Sequence, residues 1–323
     1  MDEEPITPAD ALWLSAQRRT SAFLPNFVRS KHTDGHGPDV LCIGAQKAGT
    51  SWLHTNLLYH PDVFAPPIKE ISYFSSLYVE GGSQDSYQHR VVQTRDAREW
   101  WEKHGRPIEK KILQLEMIDS FASPQLSDAW YRAIYRNAGV DQIGIDVSPA
   151  YSIAPREAIR HALSLNPNVR VIVLLRDPVE RALSHALMLL PRSSGEASRA
   201  LLSLVESDVF MTLAAYSDYA TWLQRWIGMV DRSRILIEFL PNIARNPFLS
   251  LKRVCNFIGV PYHDDFFPAA RDVVFANDLE VGDRGASLAV LRQRLAPAIA
   301  DFRARLPEIA EKLEKSRFED VAC

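Results

Sequence analysis

The stretch IGAQKAGTSWL, residues 43–53, decides how the fold is interpreted, because it resembles a phosphate-binding loop whose lysine is displaced. In the common form of this loop, G-x-x-x-x-G-K-[ST], the lysine follows the second glycine and reaches the terminal phosphates of a nucleoside triphosphate. Gly44 and Gly49 have the right separation, but Thr50 stands in the lysine position and Lys47 lies three residues earlier. The displaced lysine predicts a shorter anion than a triphosphate.

The loop lies between a predicted strand and a predicted helix. The apolar run DVLCIGA (39–45) ends in Ala45 after a glycine, and TSWLHTNLLYHPDV then has apolar residues at helical spacing. Unpaired N–H groups and the dipole at the start of such a helix attract an anion, and the hydroxyls of Thr50 and Ser51 add donors. A turn without a ligand is the alternative, but Lys47 favours anion binding because a desolvated lysine needs a partner.

Segments of strand and helix character alternate along the rest of the chain. The segments with strand character are 142–148, 169–175 and 234–239. Helix character is found in PREAIRHALSLNPN, DPVERALSHALMLL, YSDYATWLQRWIGMV and NPFLSLKRVCNFIGV. This alternation predicts an α/β fold in which a P-loop-like, mostly parallel sheet is flanked by helices and binds ligands at the carboxyl ends of its strands.

A second candidate anion site follows one of these strands. The segment VIVLLRDPVERALSHALM places Arg176 at the end of a buried strand, with a helix starting two residues later. An arginine in this position can hold a phosphate with two hydrogen bonds, but it can equally form an ion pair with Asp177 or Glu180. Ser184 lies eight residues further on and is either a second contact or an ordinary helix serine. With Lys47, this places two cations at one edge of the sheet.

The composition describes an ordinary globular protein. The chain has 323 residues, of which 46% are apolar and 24% charged, enough for one large core or two modest ones. Lys and Arg number 37 against 40 Asp and Glu, so the net charge is −3. This balance predicts neither nucleic acid nor an anionic membrane as a partner, and any anion site must therefore be local.

The cysteines and the apolar runs predict a cytoplasmic location. The 3 cysteines are odd in number and far apart, which is typical of a reducing compartment. The apolar run 171–175 is far shorter than the ~20 residues that cross a bilayer, so no membrane span is expected. The acidic N-terminus lacks a basic cluster followed by an apolar stretch, so no signal peptide is predicted.

The two ends of the chain differ from the middle. Residues 1–38 have mixed polarity and are predicted to form an N-terminal extension with a helix and a linker, before a single α/β domain at 39–323. The stretch 286–315 is rich in Ala, Leu, Arg and Glu. It predicts a helical C-terminal region, starting at about 286, that is bent or broken at Pro297 and Pro307.

Taken together, GAQKAGTSWL and VIVLLRDPVERALSH resemble the sulfotransferases that use 3′-phosphoadenosine 5′-phosphosulfate (PAPS), especially the bacterial and glycan-modifying branch. PIKEISYF (67–74) and IGIDVSPAY (143–151) are similar to the family's K-E-x-x-F/Y-F and E-x-S-P-x-Y segments, and 233–262 is similar to its late strand and helix. The resemblance covers about 39–262. It accounts for the displaced lysine, because this donor carries a 5′-phosphosulfate and no γ-phosphate.

The resemblance also implies roles for individual residues. Those that match the 5′-phosphosulfate loop are Lys47, Ala48, Gly49, Thr50, Ser51 and Trp52. Arg176 and Ser184 match the contacts of the 3′-phosphate. Arg284 and Gly285, in VGDRGAS, stand where relatives carry a basic, glycine-containing loop over the donor. All of these are expected donor-binding residues.

The catalytic residues implied by the resemblance are Lys47 and Glu70. Glu70 matches the general base of the glycan branch, although a surface carboxylate paired with Lys69 is the alternative from sequence alone. His185 could act as a base, but its helix position favours packing, and Tyr216 could line the adenine pocket. Lys47 would stabilise the charge on the leaving group.

The resemblance implies in-line transfer of a sulfuryl group to an acceptor hydroxyl, with 3′,5′-bisphosphoadenosine (PAP) as product and no metal. The acceptor class stays open between a glycan, a lipid headgroup and a small metabolite. Asp146 and Val147 stand where glycan enzymes often have Glu and Lys, so an acceptor contact is expected to differ. A P-loop kinase or NTPase, and a non-catalytic nucleotide-binding module, are the alternatives.

Overall fold

The computed structural model describes residues 37–79, 82–104, 108–139, 141–190, 197–272 and 284–318. Within these ranges, five strands form one sheet in the order β2-β3-β1-β4-β5. The strands are β1 Val40–Cys42, β2 Val63–Phe64, β3 Ile143–Val147, β4 Arg170–Leu175 and β5 Ile235–Phe239. Every neighbouring pair is parallel, so the predicted α/β fold with a parallel sheet is confirmed.

Helices connect the strands and cover the sheet. They are α1 Thr50–Tyr59, α2 Tyr73–Tyr78, α3 Gly82–His104, α4 Ile108–Ile118, α5 Asp128–Tyr135, α6 Arg156–Leu165, α7 Pro178–Leu189, α8 Ala197–Glu206, α9 Val209–Ser217, α10 Tyr219–Ile227, α11 Leu240–Arg245, α12 Pro247–Ile258, α13 Gly285–Arg305 and α14 Pro307–Phe318. The central strands β1 and β4 are buried on both faces, which suits their β-branched, continuously apolar sequences.

The strand order places the carboxyl ends of three strands side by side at one edge of the sheet. Strand β1 lies between β3 and β4, with Cys42 in register with Val147 and Ile172. After β1 the chain forms β2 and β3 on one side of it and then crosses to form β4 and β5 on the other side, and the carboxyl ends of β3, β1 and β4 meet. In open α/β sheets a crevice forms outside this edge, where the strand order reverses.

The observed elements differ from the predicted ones at the break in one helix, and the helices α2–α5, α8 and most of α9 were not predicted. The segment YSDYATWLQRWIGMV was predicted as one helix, but α9 ends at Ser217 and α10 starts at Tyr219. The break has a local cause, because the Asp218 side chain accepts a hydrogen bond from the amide of Thr221 and caps the second helix. The short edge strand β2 was not predicted.

The C-terminal region is helical, as its composition predicts. Helix α13 continues through Pro297 and ends at Arg305, and Pro307 then starts α14. A proline inside a helix removes one backbone hydrogen bond. Packing of α13 against α7, α8 and α10 offsets this loss, because the helix buries Leu291 and Leu295 in that contact.

A second apolar cluster fixes α7, the helix that carries the second predicted anion site. Val179, Leu201, Leu213 and Leu291 contribute to it from four different helices, α7, α8, α9 and α13.

In the part of the chain that the structure describes, no helix alone has the length and hydropathy to cross a membrane. Helices α8 and α9 meet that test only as a pair bent by 75°, by length and composition.

Candidate active site

The loop between β1 and α1 has a backbone that requires glycine at the start of the helix. Gly49 is the N-cap of α1 and has φ 98°, in the left-handed region. A Cβ atom at Gly49 would lie 3.1 Å from Cδ1 of Leu240. Both the torsion angle and the close approach therefore exclude a larger side chain without strain.

The first turn of α1 and the loop before it present polar groups that have no partner among the described residues. No side chain caps the helix, and the amides of Thr50 and Ser51 donate to no group within the described residues. The side-chain oxygen of Gln46 is buried, and no described group donates a hydrogen bond to it. Unpaired amides at a helix N-terminus form an anion site, so the local geometry fits a phosphate-like group.

Lys47 projects from this loop without a carboxylate within ion-pair distance in the described ranges. Its Nζ lies 3.9 Å from the thioether sulfur of Met188. Burial lowers the pKa of Lys47, and repulsion from Lys69 and Arg176 lowers it further, while Glu70 raises it. A partly desolvated cation beside other cations is electrostatically suited to an anion from outside the chain.

Arg176 lies at the carboxyl end of β4, beside the end of β1, so the two predicted anion-binding cations share one edge of the sheet. Its guanidinium lies 3.6 Å from a carboxylate oxygen of Glu180, which is the ion pair that the sequence left open. Asp177 instead caps α7 and pairs with Arg317 at 2.6 Å. Ser184 follows Glu180 by one turn on the same helix and is half-buried.

Two predicted donor-binding side chains pack into the protein. The Trp52 indole N–H donates to the backbone oxygen of Ala270 at 2.8 Å, and the ring is buried. The Ala48 methyl group lies in the main core, and its amide donates to the oxygen of Ala45 at 3.2 Å. These two side chains hold the loop in place, and the backbone and the Lys47 side chain are what the loop presents.

The segment that contains Glu70 is bound to the end of β3 by its backbone. The amide of Glu70 donates to the oxygen of Val147 at 2.9 Å, and the amide of Ser72 donates to the Ser148 hydroxyl at 3.0 Å. Glu70 and Ser72 both have positive φ angles, 61° and 57°. These contacts bring the Glu70 side chain to the same sheet edge as Lys47.

Both carboxylate oxygens of Glu70 have a basic neighbour. Oε1 pairs with the Lys69 ammonium, and Oε2 lies 3.5 Å from Nε2 of His89 on α3. Burial raises the pKa of Glu70, but Lys69 and His89 outweigh it and bring the pKa down to about 2. The pairing with Lys69 is therefore observed, although the Glu70 side chain is only 20% exposed and is not an ordinary surface carboxylate.

Asp146 lies beneath this segment and was not recognised from sequence as a structural residue. Its carboxylate is fully buried and accepts hydrogen bonds from Ser148 at 2.6 Å, Tyr131 at 2.7 Å and Tyr151 at 2.8 Å. Burial raises its pKa despite these three donors. Asp146 thus holds the hydroxyl that binds the Ser72 amide, and the D-x-S-P-x-Y spacing is the signal that identifies this network.

The interior of α7 contains a buried arginine that sequence reasoning did not single out. Arg181 donates to the Ser217 hydroxyl at 2.8 Å and to the oxygen of Leu213 at 2.7 Å, linking α7 to α9. Burial lowers its pKa to about 10.

His185 lies on the same helix and was considered as a base. Burial and the charges of Arg181 and Lys47 lower the pKa of His185 to about 3, so its imidazole is neutral and a poor base.

Tyr216 packs against His185 with its ring edge-on, 5.7 Å between centroids. Burial, followed by the charge of Glu70, raises the pKa of Tyr216 to about 12. The phenol is therefore neutral and within electrostatic range of the catalytic candidates. This position is consistent with packing at the wall of the site.

The predicted C-terminal donor contacts are only partly described. Arg284 is the N-cap of α13 and Gly285 its first residue, and α13 packs against α7. Residues 281–283 of VGDRGAS lie outside the described residues. Among the described residues, no group of three or more His, Cys, Asp or Glu side chains is arranged to hold a metal ion.

The chain belongs to the sulfotransferase family, because the model of that family matches residues 38–264. A solved sulfotransferase from Alicyclobacillus acidocaldarius shares the fold, with a TM-score of 0.56 and 21% identity over 87% of this chain and 98% of that one.

Two human relatives are similar in sequence. Heparan sulfate glucosamine 3-O-sulfotransferase 6 is 29% identical over 136 residues, 41% of this chain and 40% of the relative. Carbohydrate sulfotransferase 15 is 24% identical over 265 residues, 69% of this chain and 44% of the relative. The chain therefore spans less than half the length of either human protein.

Proposed function

We propose that the chain transfers a sulfuryl group from PAPS to an acceptor hydroxyl. The observation that carries this proposal is the shared sheet edge, where the charge of Glu70 acts on Lys47 in the loop that precedes the open start of α1. An anion cradle and a carboxylate base at one edge are what sulfuryl transfer requires.

The donor fits the polar groups at this edge. The amides of Thr50 and Ser51 and the ammonium of Lys47 would bind the 5′-phosphosulfate. Arg176 and Ser184 would hold the 3′-phosphate once Arg176 leaves Glu180. The absence of a lysine after Gly49 makes the loop less suited to a γ-phosphate.

Glu70 accepts the acceptor's hydroxyl proton as the hydroxyl oxygen attacks the sulfur. The new oxygen–sulfur bond forms in line with the bond from sulfur to the phosphate oxygen, which breaks and leaves its electron pair on PAP. Lys47 and the first turn of α1 stabilise the charge that develops on this leaving oxygen. Positioning of the two reactants supplies much of the remaining rate enhancement.

A glycan hydroxyl is the first acceptor class to test. The two human relatives are named for a heparan sulfate glucosamine and a carbohydrate acceptor. Lipid headgroups and small hydroxylated metabolites are the other two classes in an acceptor screen. Two further points stay predictions. The reaction is expected to need no metal, which is checked by measuring activity in the presence of a chelator. The protein is expected to be cytoplasmic, which is checked by cell fractionation.

Calorimetric titration with PAP, 5′-AMP, and ATP with Mg²⁺ tests the donor assignment. We expect micromolar binding of PAP that requires the 3′-phosphate and weakens at least tenfold in Arg176→Ala. The exposed Arg292→Ala serves as the matched control and should leave the affinity unchanged. A preference for ATP with Mg²⁺, or no binding of PAP, would refute the proposal and favour a kinase or an unliganded turn.

Glu70→Gln separates an enzyme from a nucleotide-binding module that lacks activity. If Glu70 is the base, this variant retains affinity for PAP and loses sulfuryl transfer to any acceptor that the wild type uses. Transfer at the wild-type rate would show that Glu70 is not the base.

A further inference from the structure

Glu70 cannot accept a proton efficiently while both of its oxygens are engaged by basic groups. Lys69 pairs with Oε1 and His89 lies 3.5 Å from Oε2. The carboxylate is therefore stabilised as an anion, and its pKa of about 2 makes it a weak base in this arrangement. Catalysis by Glu70 requires that one of these partners leave.

Lys69 is the partner that an incoming anion would attract. Its charge acts on Lys47 in the loop and on Cys42 at the end of β1. The Lys69 ammonium is therefore near the loop between β1 and α1, which is the proposed binding site of the donor. In the described part of the chain, its ammonium has Glu70 as its ion-pair partner. The repulsion between Lys69 and Lys47 falls when a negatively charged sulfuryl group lies between their ammonium groups, a position that PAP leaves empty.

The Lys69 side chain can move while its backbone stays fixed. The following residue is held by the hydrogen bond from the Glu70 amide to the Val147 oxygen. A lysine ammonium is carried by four flexible carbons, so it can change partner without a change in the backbone. His89 instead lies on helix α3 and is about half exposed.

We propose that Lys69 exchanges Glu70 for the sulfuryl oxygens of the donor, so that binding of PAPS releases the base for the acceptor. This inference rests on the proposed sulfotransferase function. It makes Lys69 a further donor-binding residue that is specific for the sulfuryl group. It also links the presence of an intact donor to the availability of the base, so that PAP, which lacks the sulfuryl group, leaves the Lys69–Glu70 pair in place.

Affinities for PAPS and PAP, measured by calorimetry without an acceptor, test the sulfuryl contact. We expect Lys69→Met to weaken the affinity for PAPS at least tenfold and to change the affinity for PAP less than twofold. Lys69→Arg should restore most of the PAPS affinity, which shows that a lost charge and not a lost fold is responsible. Lys252→Met, at an exposed position on α12, is the matched control.

The release of Glu70 has its own readout. In protein labelled with carbon-13 at glutamate carboxyls, the Glu70 signal is identified by its loss in Glu70→Gln. We expect PAPS to shift this signal toward its position in Lys69→Met, and PAP to leave it unchanged.

The outcomes separate the two proposals. A wild-type protein that binds neither PAPS nor PAP refutes the sulfotransferase function itself. If the wild type binds both, then equal losses for the two nucleotides in Lys69→Met, no loss for either, or a Glu70 signal that ignores PAPS would each overturn the role of Lys69 alone.

Discussion

Ser148→Ala tests whether the buried network under β3 holds the segment that contains Glu70, the proposed base, in place. The Ser148 hydroxyl accepts a hydrogen bond from the Ser72 amide at 3.0 Å and donates one to Asp146 at 2.6 Å. The alanine variant removes both bonds and changes the volume little. The amide is left without its acceptor, while Asp146 keeps its two tyrosine donors.

The loss of stability follows from these two bonds. A buried donor left unpaired costs about 1–3 kcal/mol, and a lost hydrogen bond to a carboxylate adds to this. We therefore expect Ser148→Ala to lower the free energy of unfolding by about 2–3 kcal/mol, measured by urea denaturation. Ser164→Ala, at an exposed helix position, should change it by less than about 0.5 kcal/mol.

The same variant should affect catalysis more than donor binding. Without the Ser72 contact, the segment keeps one backbone hydrogen bond to β3, from Glu70 to Val147. Small displacements of a catalytic group reduce rates by about tenfold to a hundredfold. We expect kcat to fall by at least about tenfold with PAP affinity unchanged. A stability loss below about 0.5 kcal/mol, or an unchanged kcat, would refute the positioning argument.

Three other substitutions give further predictions. The pKa of Glu70 falls from 4.5 to about 2 on folding, so its ion pairs stabilise the protein above pH 4.5, and this contribution of about 2–3 kcal/mol is lost as the pH falls toward 2. Urea denaturation should show that loss in the wild type and not in Glu70→Gln; equal pH profiles would contradict it. Glu180→Gln removes a carboxylate 3.6 Å from Arg176 and should raise the calorimetric affinity for PAP by about twofold to fivefold, whereas weaker binding would argue against a 3′-phosphate site there. Gly49→Ala, at φ 98°, should lower the free energy of unfolding by about 1–3 kcal/mol, while Gly139→Ala, without a positive φ, should have a much smaller effect.

The sheet and the loop could be predicted because their signals are local. Strand β4 is a continuous β-branched and aliphatic run, and the glycine spacing around Lys47 specifies a turn between a strand and a helix. Parallel strands that end in polar residues share one edge, which is why Lys47 and Arg176 were expected together. The boundaries differed mainly where a side chain decides them, as Asp218 does by capping α10.

The contacts around Glu70 could not be predicted, because they depend on residues far apart in the chain. His89 is on helix α3, Asp146 is in β3, and Ser148 is in the turn after β3. The resemblance of PIKEISYF to the family's K-E-x-x-F/Y-F segment implied a carboxylate near the site, but not that its two oxygens are both engaged. The same holds for Arg181, whose sequence context is that of an exposed helix arginine and whose partners lie on α9.

The electrostatics of the sheet edge explain how a chain of net charge −3 would bind the strongly anionic donor proposed for it. Cations from three separate segments, Lys47, Lys69 and Arg176, meet where neighbouring strands end. Glu70 pairs with Lys69, and Glu180 pairs with Arg176. Each of these two pairs is one that we expect a bound donor to replace, since the donor as a whole carries several negative charges against one on each carboxylate. The free protein therefore keeps its cations partly neutralised, and one of the two carboxylates released on binding is the proposed base.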